Sequence, residues 1–102
     1  MSEWGFLTNH ARVLVCIAHD PEVRLRDIAT TLGITERSAF AIVTDLTLSG
    51  YVVKDKQGRR NRYQIRDHLP LRGDVGREQT VGELLRVLIK PTVDALPVQR
   101  PG

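Results

Sequence analysis

Six cations fall within thirteen residues: Lys54, Lys56, Arg59, Arg60, Arg62 and Arg66, with Asp55 the single acid among them. Their chemistry is anion binding. Guanidinium forks match phosphate oxygens bidentately, and ammonium groups add point charge. The chain has 102 residues, with 15 Lys and Arg against 12 Asp and Glu, for a net charge of +3. The window 54–66 carries +5, the stretch before it −2 and the stretch after it zero. The excess charge is therefore local, as expected where one segment meets an anionic partner such as nucleic acid. A solvated, charged hairpin is the plainer reading of the same run.

Other chemistry is thinly represented. His10, His19 and His68 lie far apart, with no HxxE or HxH spacing, so no metal site is expected. His10 reads as a helix-start residue and His19 as a cation at a helix C-terminus. Cys16 stands among apolar residues and reads as a small buried hydrophobe, not a reactive thiolate. No Ser-His-Asp or Cys-His set, glycine-rich phosphate loop or close carboxylate pair stands out, so neither a catalytic residue nor a cofactor is predicted. No apolar run approaches the ~20 residues of a membrane span, and no basic stretch followed by an apolar region opens the chain. One cysteine cannot form an internal disulfide, and a cytoplasmic, nucleoid-associated protein is expected. The length suits one domain and excludes doubly wound or barrel enzymes, which need roughly 200 residues or more. With 41% apolar and 26% charged residues, the composition is that of a globular domain.

The elements that must position the basic window follow from periodicity. Thr8 or Asn9 caps a helix running to His19, with Leu7, Ala11, Leu14, Ile17 and Ala18 on one face, and Asp20-Pro21 ends it. Val23-Arg24-Leu25 alternates as a very short strand. Ile28, Ala29 and Leu32 mark a helix over 27–32, closed by Gly33. Thr35 caps a further helix to about Ser49, with Ala39, Ile42, Val43 and Leu46 inward. Two helices joined by about three residues, with a glycine at the turn, are the sequence form of a helix-turn-helix. The period then changes to two. Strands over 51–56 and 60–66 flank a tip at Gln57-Gly58-Arg59, with Tyr63 and Ile65 toward the core and the charged face away from it. Residues 67–79, with Pro70, Gly73 and Gly76, read as a linker loop. Thr80 and Glu83 form a capping box opening a helix to about Lys90, with Val81, Leu84, Leu85 and Leu88 in one apolar stripe. The last residues, around Pro97 and Pro101, read as frayed.

Helix, short strand, two helices and a hairpin are the order of a winged helix-turn-helix, and here a family resemblance enters. Residues 25–53 resemble the DNA-binding segment of MarR-, ArsR- and IclR-type bacterial regulators. They do so through Asp27-Ile28-Ala29 and Leu32-Gly33-Ile34-Thr35, then Ile42-Val43, Asp45-Leu46 and Gly50-Tyr51-Val52. Gly58 to Tyr63 resembles a wing of the same group. Thr80 to Leu85 is similar to small single-domain regulators of actinobacterial type. The resemblance covers residues 8–66 well and 67–90 loosely. It implies a mainly α fold, α-β-α-α-β-β plus a C-terminal helix. The division is a winged DNA-binding domain over 1–66, a linker over 67–79 and a helix over 80–96 for packing or dimerisation.

It also implies a mechanism. The helix over 35–49 would enter the major groove of double-stranded DNA, presenting Thr35, Glu36, Arg37, Ser38, Phe40 and Ala41. Arg37 is expected on a base edge or phosphate, with Thr35 and Ser38 donating to phosphates. Arg59, Arg60 and Arg62 would reach the backbone or minor groove. Phe40 and Ala41 depart from the polar residues usual in this group, and Glu36 repels phosphates, although it can accept from cytosine N4. These departures support the alternative of a winged-helix module for protein–protein assembly without DNA binding. Half-site symmetry predicts a homodimer through Val81, Leu84, Leu85 and Leu88, with Trp4 and Phe6 covering the same interface. Any small-molecule effector, of unknown identity, is expected between subunits.

Overall fold

Among the described residues, a core of thirteen buried apolar side chains, drawn from four helices and two strands, holds the fold together. The structure, a computed structural model, describes residues 5–89. Its elements are α1 (Asn9–His19), α2 (Leu25–Leu32), α3 (Glu36–Leu48), β1 (Val52–Gln57), β2 (Arg60–Ile65) and α4 (Val81–Leu88). The architecture is a small domain of four helices and a two-stranded antiparallel hairpin. Val13, Ile17, Ile28, Val52 and Val81 are fully buried. Burying a side chain of this size stabilises by about 1.5–3 kcal/mol.

Each helix is delimited by local chemistry. Thr8 Oγ1 accepts from the Ala11 amide at 3.1 Å, capping α1. The Asp20 carboxylate accepts from the Glu22 amide, and the Asp20 carbonyl from the Val23 amide, forming a tight turn after α1. That turn replaces the strand expected over 23–25. The Val23 amide is spent inside it, and the Arg24 carbonyl already accepts from Asp27 and Ile28 as the cap of α2. Helix α2 consequently starts at Leu25, two residues before the expected 27. What remains sheet-like is one bond, Tyr63 N–H to the Pro21 carbonyl at 2.8 Å, on the outer edge of β2. Gly33 (φ 73°) closes α2 in the left-handed conformation, where a side chain would be strained.

The hairpin register runs from Val52 opposite Ile65 to Gln57 opposite Arg60. Gln57 thus belongs to the strand, and the turn is Gly58-Arg59 alone. Gly58 has φ 63° at the first central position, as a two-residue II′ turn requires.

Residues 67–79 are a folded connection, not a free linker. The Val81 amide donates to the Leu69 carbonyl and the Leu71 amide to the Gln79 carbonyl, around an isolated bridge between Pro70 and Thr80. Tyr51 Oη donates to the Pro70 carbonyl at 2.6 Å, and Arg72 donates to Ser49 Oγ at 2.9 Å. The capping box is complete: Thr80 Oγ1 accepts from the Glu83 amide, and Glu83 Oε1 accepts from the Thr80 amide. Gly82 lies against Asp67, its amide donating to the Asp67 carbonyl at 2.8 Å. Helix α4 packs on α1 and ends at Leu88. Trp4, residues 90–96 of the expected helix and the frayed ending lie outside the described residues.

Candidate nucleic-acid interface

The N-terminus of α3 is built by Thr35. Its Oγ1 accepts from the Ser38 amide at 3.0 Å and donates to Ser38 Oγ at 3.0 Å. The Thr35 hydroxyl hydrogen is therefore spent, and of the two hydroxyls expected to donate to phosphates, Ser38 is the one left free to do so. Glu36 in the first turn complements the helix dipole. Ala39, Ile42, Val43 and Leu46 lock the inner face of α3 into the core. His10 Nε2, 2.8 Å from Asp45 Oδ2, ties α1 to the outer flank of α3. At 100° per residue, Glu36, Arg37, Phe40 and Ala41 must then face away from the core, and all four are exposed. Phe40 retains 55% of its surface.

The basic hairpin stands beside this face. Glu22, Arg24, Arg26, Glu36, Arg59 and Arg60 line one open groove. It brings together the turn before α2, the first turn of α3 and the hairpin tip. Four guanidinium groups and two carboxylates meet there. Among the described residues, Arg24, Arg26, Arg37 and Arg59 have no ion-pair partner. Arg60 and Arg62 do: both donate to Glu22, at 3.0 and 3.2 Å.

The charge of the hairpin is also divided between its faces. Residues opposed in an antiparallel ladder share a face. Arg60 and Arg62 lie opposite Gln57 and Asp55, whereas Lys54 and Lys56 lie opposite Tyr63 and Asn61. Lys54 and Lys56 are thus on the side of the buried Tyr63, and both are exposed. The single charged face expected from alternation holds for Arg62, Gln64 and Arg66 but not for these two lysines.

Of the expected site residues, Glu36, Arg59 and Arg60 share the groove, and Arg37, Phe40 and Ala41 stand on the adjoining outward face of α3. Arg62 is turned to Glu22. Arg24, Arg26 and Glu22 were not anticipated. In sequence Arg24 reads as part of a strand over 23–25, and no periodicity shows that the turn at 20–24 and the start of α2 bring these three residues to the hairpin.

The residues expected at a dimer interface separate on α4. Val81 is 1% exposed, so it belongs to this chain's own core and offers no surface to a partner. Leu85 packs half-buried against that core. Leu84 and Leu88 are half-buried beside Val87, which is 68% exposed.

Two groups have shifted titration. Burial pushes the Cys16 thiol up, outweighing the opposing pull of the Arg12 charge. Burial likewise raises the Tyr63 phenol, against a smaller lowering by its hydrogen bond with Asn61. Cys16 is held as a thiol, which makes it a poor nucleophile. Among the described residues no group of three or more His, Cys, Asp or Glu could hold a metal ion, and no helix is long and apolar enough to cross a membrane. No family model matches the chain, and no curated protein matches it either.

Proposed function

We propose that this chain is a winged helix-turn-helix protein that binds double-stranded DNA, acting as a bacterial transcriptional regulator in the cytoplasm. Helix α3 enters the major groove, and the hairpin lies on the adjacent backbone or minor groove. One observation carries this reading: the groove in which Arg24, Arg26, Arg59 and Arg60 flank the first turn of a helix whose inner face is locked into the core. A B-form major groove admits one such helix, and phosphates run along both its rims. Four arginines gathered beside the first turn of α3 suit contact with one of those rims. Two copies of the chain, paired through the apolar strip of Leu84, Val87 and Leu88, would place two α3 helices on half-sites related by a two-fold.

The second reading is a winged-helix assembly module. The exposure of Phe40 and of Leu48, 82% open at the last turn of α3, favours it. Selection of bound duplexes from a random library separates the two. A two-fold symmetric sequence recovered over successive rounds is the expected result. Recovery of no enriched sequence favours the assembly module.

A further inference from the structure

Resting on the DNA-binding reading, we infer that α3 recognises thymine, with Phe40 and Ala41 packing on the C5-methyl groups that project into the major groove. The inference comes from how little hydrogen-bonding capacity the outward face retains. The face consists of two i, i+4 rows, Glu36-Phe40-Thr44 and Arg37-Ala41-Asp45. Its first turn is charged, with Glu36 and Arg37. Asp45 is engaged by His10. The Thr35 hydroxyl hydrogen is spent on Ser38, and the Thr47 hydroxyl donates to the Val43 carbonyl at 2.8 Å. Between the charged turn and Asp45 stand an exposed phenyl ring and an exposed methyl, with only the half-buried Thr44 beyond them.

A guanine–cytosine pair offers the major groove two acceptors and a donor, and a phenyl ring answers none of them. Thymine offers a methyl group, for which Phe and Ala are suitable apolar partners. The occupant is placed by charge. Phe40 lies one turn along the row of Glu36, which lines the arginine groove, so a partner as broad as a duplex that covers Phe40 also comes up against Arg24, Arg26 and Arg59. Those three cations suit a polyanion with an apolar patch in its groove. The division of labour is then a charged first turn able to serve one guanine–cytosine pair and an apolar second turn reading thymines beside it.

The test replaces thymidine by deoxyuridine, one position at a time, in a duplex selected by the wild-type chain. The exchange deletes only the methyl group. Affinity is read by fluorescence anisotropy for the wild type and for Phe40→Ala and Ala41→Gly, with circular dichroism confirming that each is folded. Phe40 is more than half exposed, so its truncation leaves the core intact. At one or two thymines per half-site the wild type should lose about fourfold in affinity per methyl, while Phe40→Ala no longer distinguishes the two bases there. Equal affinity for thymidine and deoxyuridine at every position overturns the inference and leaves DNA binding standing. Losses that persist undiminished in both variants overturn it as well. Failure to select any duplex overturns the inference together with the DNA-binding reading.

Discussion

Glu22 Oε1 accepts a hydrogen bond from Arg60 Nη1 at 3.0 Å, across 38 positions of sequence. The other carboxylate oxygen takes Arg62, so one acid faces two of the three hairpin arginines expected to meet DNA. A carboxylate there competes with phosphate for the same guanidinium forks.

Glu22→Gln should therefore tighten duplex binding at low salt. The slope of log affinity against log salt should steepen by about one, as roughly one more phosphate is neutralised. The stability cost is small, about 0.2–1 kcal/mol, because the pairs are solvent-exposed. Isothermal titrations at several salt concentrations check this. Weaker binding with an unchanged slope would mean that Glu22 serves only to hold the hairpin in place.

Gly82→Ala should destabilise the fold. A Cβ at this position would stand 2.9 Å from Asp67 Cβ and 3.0 Å from the Asp67 carbonyl oxygen, and the latter is backbone that cannot swing away. Overpacking of this kind costs about 1–3 kcal/mol, which for a chain of this size lowers the melting temperature by at least about 4 °C. A thermal melt that matches the wild type would contradict the docking of α4 on the 67–79 connection.

Stability should fall at alkaline pH. The fold favours the protonated forms of Cys16 and Tyr63, raising each above its ordinary value of 9.0 or 10.0. The native state then binds more protons than the unfolded chain once pH passes the unfolded values. The contribution is intact below about pH 9 and is lost as pH rises through the folded values. Denaturant unfolding across this range should show the decline, and Cys16→Ala and Tyr63→Phe should each flatten it. A decline equally steep in both variants would assign it to other groups.

Val87→Glu should yield a folded monomer, because the side chain is exposed and outside the core, and its melting temperature should no longer rise with protein concentration. Light scattering coupled to size exclusion reads the mass directly. A wild-type monomer at high micromolar concentration would contradict the paired arrangement.

The parts of the fold legible in the sequence were those set by neighbours within four residues. The Thr35 cap, Gly33 at the helix end and the Thr80–Glu83 box are local hydrogen-bond chemistry written in residue type and spacing. Three alternating residues at 23–25 were too few to distinguish a strand from the last residues of a turn and the cap of a helix. The pairing of Glu22 with Arg60 and Arg62 joins positions brought together only by folding, and no periodicity announces it. The separation of Lys54 and Lys56 from Arg60 and Arg62 depended on the turn length. Reading Gln57 as part of the tip, not of the strand, left the cross-strand partners undefined. At the candidate interface, the exposure of Arg37, Phe40 and Ala41 followed from helical period, whereas the arrival of Arg24 and Arg26 beside them did not.

The measurement that bears most directly on DNA binding is the salt dependence of affinity for a selected duplex, compared between the wild type and Arg59→Ala. Arg59 lines the groove and has no ion-pair partner among the described residues. The account predicts a linear fall of log affinity with log salt, with a slope of roughly −2 per subunit from the hairpin, where Glu22 offsets one of its three arginines, diminished by about one in the variant. Binding that is absent at low salt, or present with a slope that Arg59→Ala leaves unchanged, would contradict it.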